Sequence, residues 1–214
     1  FFTQKTQSAM LRSLVGSEMC IRDSSKRASS SGGVPTYRRP QCVGPISVKD
    51  LKPLEVDLQN FKDALSASES TDAFMNAASP GVIAQFQPNQ HYPDHSSYLY
   101  ALADAMKVEY EGIAEAGLVI QIDSPDLALG RHVLFKDQSD EEFVAMADLH
   151  IEALNHALQK IPAEQLRLHL CWGNYQGPHQ CDIEKKKILP AVLKAKPMTL
   201  TYEGANPRHS HQWS

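Results

Sequence analysis

Long apolar runs are what this sequence most plainly lacks. No stretch approaches the roughly 20 residues that a bilayer-spanning helix needs, so the chain is read as one that does not enter a membrane. Cysteine is scarce too, with four in 214 residues, at Cys20, Cys42, Cys171 and Cys181. Their scatter argues against a disulfide scaffold and fits a reducing compartment, so a cytoplasmic location is expected. Neither charge sign dominates: 21 Lys and Arg face 25 Asp and Glu, for a net charge of −4. That balance excludes a broadly basic, nucleic-acid-binding surface. The short basic clusters at Arg38-Arg39 and Lys185-Lys186-Lys187 read as solvated faces. Also missing are a Ser-His-Asp nucleophile elbow, a Walker loop, a paired CxxC framework and a Gly-rich dinucleotide loop after any strand.

What is present is enough apolar sequence, 42% of residues, for one sizeable core. The first segment stands apart from it. Residues 1–31 scatter Ser, Lys and Arg without period, and Glu18 and Asp23 spoil a transit peptide. Residues 13–24 look like a translated sequencing adaptor. Residues 1–39 are therefore expected to be non-native or disordered, with 1–25 adaptor-derived and Cys20 excluded from any site. Residues 40–214 are read as one domain.

From Pro40 onward strands and helices alternate. Residues 41–47 form a short apolar run ending at a Gly-Pro turn and predict a first strand. Leu54, Leu58, Phe61 and Leu65 share one helical face. Residues 73–78 predict a second strand, closed by Ser79-Pro80-Gly81, before a long polar loop. Residues 96–116 carry Leu99, Leu102, Met106, Tyr110 and Ile113 at helical spacing, with Ser96 or Ser97 as cap and Gly117 as stop. Strands are expected at 118–123, 166–172 and 198–203, and helices at 140–161 and 182–196.

Five apolar strands alternating with helices predict a parallel α/β sheet buried on both faces. An open doubly wound sheet and a (β/α)8 barrel share this rhythm. Polar residues gather at the carboxyl ends of the strands, at Asn76, Asp123, His169, Cys171 and Glu203, where a barrel assembles its active site. The expected architecture is a partial (β/α)8 TIM barrel of parallel strands.

His169-Leu170-Cys171 is the most informative motif. Residues i and i+2 of a strand share a face, so imidazole and thiol leave one strand end side by side. Zinc takes that pair of donors, and Glu203, about one α/β unit later, offers a carboxylate from a neighbouring strand end. The bland readings are a packed histidine, a small buried thiol and a solvated acid. Asp123 either caps the following Ser-Pro turn or holds a substrate ammonium group. His150 and His156 fall in an amphipathic helix and read as packing or surface groups, while His91, His95 and His179 fall in polar loops. His209-Gln-His211 is a metal-pair candidate, and Cys181 is a loop position more than a ligand.

Four segments in order, Val43-Gly-Pro-Ile-Ser47, Ile120-Gln-Ile-Asp-Ser-Pro125, His169-Leu-Cys171 and Leu200-Thr-Tyr-Glu203, resemble the C-terminal catalytic domain of cobalamin-independent methionine synthase. The string from His169 to His179, with Glu203-Gly-Ala-Asn-Pro-Arg-His209, is similar to the shorter methionine synthase II-like branch, to which epoxyalkane–coenzyme M transferase is related. The resemblance implies a zinc-dependent thiol methyltransferase barrel in methionine biosynthesis, acting on homocysteine and a methylated folate. It implies His169, Cys171 and Glu203 as zinc ligands and Asp123 as the group that holds the amino group of homocysteine. It also implies that a further cysteine ligand and a later histidine fall beyond Ser214, so the chain is expected to be an incomplete, inactive piece. Ser124 stands where the synthases usually carry glutamate, and Trp172-Gly-Asn-Tyr175 departs from them after Cys171. A thiol alkyltransferase of the epoxide type and a non-catalytic zinc-binding barrel fragment are the alternatives.

Overall fold

The computed structural model describes residues 40–70, 72–173 and 180–204. The adaptor-like segment, His179 and the His209/His211 pair lie outside the described residues. Helix α1 (Lys52–Ser66) precedes strand β1 (Phe74–Ala78), and helices α2 (Pro80–Phe86) and α3 (His95–Glu115) lead to β2 (Val119–Asp123). A 3-10 turn (Pro125–Leu127), a short helix α4 (Leu129–Val133) and helix α5 (Asp140–Ala157) follow. Strand β3 (Leu166–Leu170), helix α6 (Lys185–Val192) and strand β4 (Thr199–Tyr202) complete the order.

The strands form one four-stranded sheet in the order β1-β2-β3-β4, with every neighbouring pair parallel. A doubly wound sheet reverses direction at a switch point; this one never does. Right-handed crossovers that always step the same way lay their helices on one side. In agreement, α3 packs on α5, and α5 packs in turn on α6. The architecture is a parallel α/β sheet, consistent with a stretch of barrel wall.

Strand alternation divides the sheet into two unlike faces. Ala77, Ile120, Ile122, Leu166, Leu168 and Leu170 are buried on the helix side with Leu99, Tyr110, Phe143 and Leu154. The opposite face carries one row of Asn76, Gln121, Arg167 and Thr199, then a second of Ala78, Asp123, His169 and Thr201. Those rows read as polar, not as the expected doubly apolar strands.

Four strands stand where five were predicted. The stretch at 41–47 makes only a single bridge, Cys42 to Asn89, with Cys42 N–H donating to Pro88 O at 3.0 Å. Pro45 lacks a ladder N–H and constrains Gly44 before it, so an apolar composition here does not extend into a sheet. Val43 is accordingly 77% exposed. The loop expected after Gly81 begins instead as α2, since Ser79 Oγ accepts from Val82 N–H at 3.0 Å and Pro80 opens the first turn. Asp94, not Ser96 or Ser97, caps α3, accepting from Ser97 N–H at 2.7 Å. Gly117, at φ +80°, supplies the left-handed residue that lets the chain leave α3 for β2. Helix α5 starts in a capping box between Ser139 and Glu142 and ends at Ala157, short of Ile161. Helix α6 is likewise shorter than the predicted 182–196.

Candidate functional site

Parallel strands bring their carboxyl ends to one edge, and two of the four predicted site residues, Asp123 and His169, meet there through register. Asp123 ends β2 and is the lateral partner of His169 on β3, which in turn partners Thr201 on β4. Continuing the β3–β4 register past Leu170 and Tyr202 sets Cys171 opposite Glu203. The strands that lead into Cys171 and Glu203 are hydrogen-bonded neighbours, and both residues lie one step past the last paired positions.

The side chains are held unequally. Asp123 is buried, and its Oδ1 accepts from Gln121 Nε2 at 2.9 Å. Burial raises its carboxyl above the usual range, against the lowering effects of the Gln121 bond, the charges of His169 and Arg167, and an Asn76 bond. His169 is half-buried, with Nδ1 3.3 Å from Thr201 Oγ1. Cys171 is half-buried, and burial pushes its thiol up to about 11. The Gly173 N–H opposes that shift, while the carboxylates of Asp123, Glu203 and Asp126 add to it. A thiol so surrounded keeps its proton at neutral pH unless a cation joins it.

The donor types, one imidazole, one thiol and one carboxylate, are ones that zinc takes, with His169 on β3 and Cys171 and Glu203 just past the ends of β3 and β4. The side chains as they lie do not form a closed shell. Among the described residues no three His, Cys, Asp or Glu side chains are grouped closely enough to hold a metal ion. Cys181 sits half-buried in the turn before α6.

Sequence reasoning passed over a second cluster at the same edge. Asp126, in the turn after β2, is buried and accepts from Ser79 Oγ at 2.7 Å. Its other oxygen lies 2.8 Å from His150 Nδ1, and His150 Nε2 lies 2.9 Å from His95 Nε2. His150 is thus a buried bridging group, and His95 opens α3 instead of lying in a loop. One signal was available: Ser79-Pro80 and Ser124-Pro125 each follow a strand and mark the two turns that the cluster joins.

These features define a parallel α/β protein with ionisable and thiol groups collected at the carboxyl edge of its sheet, the edge at which such folds hold ligands. No family profile matches the chain. Among curated proteins it is 31% identical over 173 residues to a methionine synthase of Saccharolobus solfataricus, covering 78% of this chain and 47% of that protein. A methionine synthase of Saccharolobus islandicus is 32% identical with the same coverage of both chains. A methionine synthase of Sulfurisphaera tokodaii is 28% identical over 67% of this chain and 37% of its own length. The chain is a homologue of proteins named methionine synthase, consistent with the motif resemblance to the cobalamin-independent enzymes, and spans about half the length of the curated relatives it matches. Among the described residues no helix is long and apolar enough to cross a membrane.

Proposed function

We propose that the chain carries much of the site of a zinc-dependent thiol methyltransferase, which passes a methyl group from a methylated folate to homocysteine. The observation that carries this reading is the lateral row Asp123–His169–Thr201 with Cys171 and Glu203 one step beyond, in a homologue of proteins named methionine synthase.

In this reading His169, Cys171 and Glu203 hold zinc. Zinc, when bound, supplies positive charge that favours the deprotonated form of a nearby thiol. The chain's own residues do the rest. Asp123 receives the ammonium group of homocysteine, which would return to its buried carboxylate the counter-charge that burial makes costly to lack. Gln121, at 2.9 Å, and Asn76 hold the carboxylate from the same sheet face, and the substrate ammonium adds the positive charge that neutral amides do not supply. Thr201 engages the His169 ring at Nδ1, so Nε2 would be the nitrogen to hold the metal. Buried Trp172, whose Nε1–H donates to Ile183 O at 2.9 Å, anchors the chain just after Cys171.

Metal analysis of the purified chain tests the reading, with His169→Ala and Cys171→Ala alongside. Zinc bound in near-equal proportion to protein and lost in both variants is expected. Methyl transfer from methyltetrahydrofolate to homocysteine is then assayed on a chain extended to the full length of its relatives. Folded protein that takes up no zinc, or takes it up equally in both variants, would overturn the proposal. Transfer to coenzyme M but not to homocysteine would replace it with the epoxide-type alkyltransferase.

A further inference from the structure

The second cluster is a continuous hydrogen-bonded chain, Ser79–Asp126–His150–His95. The side chains of His150 and Asp126 are 4% and 1% exposed. Both Asp126 oxygens are engaged, Oδ1 by the Ser79 hydroxyl and Oδ2 by His150 Nδ1. A carboxylate only accepts, so His150 carries a hydrogen on Nδ1. On the other side of the ring, the 2.9 Å approach to His95 Nε2 needs one hydrogen between two nitrogens. His95 is pushed down to about 4, by its burial first and by the neighbouring His150 next, although Asp126 and Asp94 pull the other way. The chain therefore ends in a neutral imidazole at the start of α3.

The same chain ties together the two turns that close β1 and β2. Ser79 N–H donates to Asp123 O at 3.1 Å, and the Ser79 hydroxyl reaches Asp126 in the following turn. Ser124 N–H, directly after Asp123, donates to His169 O at 2.9 Å. Gly81 lies so near Asp126 Oδ2 and His150 Nδ1 that a Cβ there would overlap both. The backbone of one turn is thus fitted against the polar pair of the other, and Asp123 sits where the two meet.

We propose that Asp126 and His150 are positioning residues for Asp123: they brace the β2 turn on the β1 turn and so set the preference of the strand-end site for a thiol that bears an ammonium group. The selectivity part rests on the methyltransferase reading above; the brace does not.

Amide exchange of the 214-residue chain, followed by NMR at Ser79 and Ser124, tests the brace in His150→Phe and His150→Asn. Asparagine places an N–H near the Nδ1 position and should preserve donation to Asp126, whereas phenylalanine cannot donate. Exchange at both amides is expected to quicken about tenfold in the Phe variant and to recover in the Asn variant. If the Phe variant does not fold, Ser79→Ala takes its place, read at Ser124. Binding of homocysteine and of its deaminated analogue 4-mercaptobutyrate to the zinc-loaded chain gives the second readout. The preference for the aminated thiol should fall about tenfold in the Phe variant and recover in the Asn variant. Unchanged exchange and unchanged preference in the Phe variant, with its downfield Nδ1 proton signal gone, would overturn the proposal. Exchange quickened by Phe and restored by Asn, together with a wild-type chain that does not distinguish the two thiols, would keep the brace and sink the homocysteine reading alone. Exchange equally fast in the Asn and Phe variants would show bulk packing, and would overturn the positioning role.

Discussion

Asp123 and Asp126 stand three positions apart at one sheet edge and live in opposite chemical conditions. Asp126 has a hydroxyl on one oxygen and an imidazole N–H on the other, and its surroundings are complete. Asp123 is buried with the Gln121 amide at 2.9 Å and a bond from Asn76, close to a thiol that burial holds in its protonated form. The first arrangement is what a structural network looks like, since a buried polar group is stable when every partner is supplied from within. The second sets neutral amides against an acid whose carboxyl is still raised by burial despite the charges of His169 and Arg167, a condition that suits a site receiving a cation. Proximity alone would have put both acids in one site; their hydrogen bonds separate them.

The largest break in that comparison should come from Asp126→Ala. It strands the Ser79 hydroxyl and the His150 N–H in the interior, at a cost of about 3 kcal/mol. Thermal or urea unfolding would register it, while Asp123→Asn should leave stability within about 1 kcal/mol or improve it. The sign for Asp123 follows from its raised carboxyl. Its folded form binds a proton more tightly than the unfolded chain does, so the charged group opposes folding at neutral pH. Equal losses in the two variants would erase the distinction.

Gly81→Ala comes next. Its methyl must displace Asp126 or His150, an overpacking that should cost about 1–3 kcal/mol and expose His150 to faster ring-proton exchange. Ser139→Ala, in the capping box of α5 and outside both clusters, is the control. It should cost about 1 kcal/mol in the same unfolding measurement without altering zinc content.

The smallest effect concerns pH. His95 titrates near 4 in the fold against an ordinary 6.5, so the unfolded chain binds the extra proton in that window. Its contribution to stability is whole above pH 6.5 and is lost as pH falls towards 4. His95→Phe should flatten the stability–pH curve over that range. An unchanged slope would mean that His95 is not held neutral by the network.

Much of this was legible from spacing. Periodic apolar residues gave the helix faces of α1, α3 and α5, and the run 118–123 gave β2, because burial on one face imposes its period on composition. The same logic failed at 41–47, where Gly44 and Pro45 deny the ladder that apolar side chains invite. At the edge, His169 and Cys171 were readable as a pair since they lie two apart on one strand, and Asp123 was readable as a strand-end acid. His150 was not readable as a polar-network residue. Its partners lie 24 and 55 positions away, and a histidine on an amphipathic helix carries no mark of what meets it.

By itself the sequence determined the alternation of strand and helix, the end of the strands at which polar groups collect, and homology to proteins named methionine synthase. These follow from local periodicity and from motifs whose residues are near neighbours in the chain. Tertiary structure alone decided the strand order without a switch point, the register that sets His169 beside Asp123, and the closed network that separates Asp126 from it. Register and long-range hydrogen bonds depend on which surfaces meet after the chain has crossed over, and no local pattern encodes that meeting.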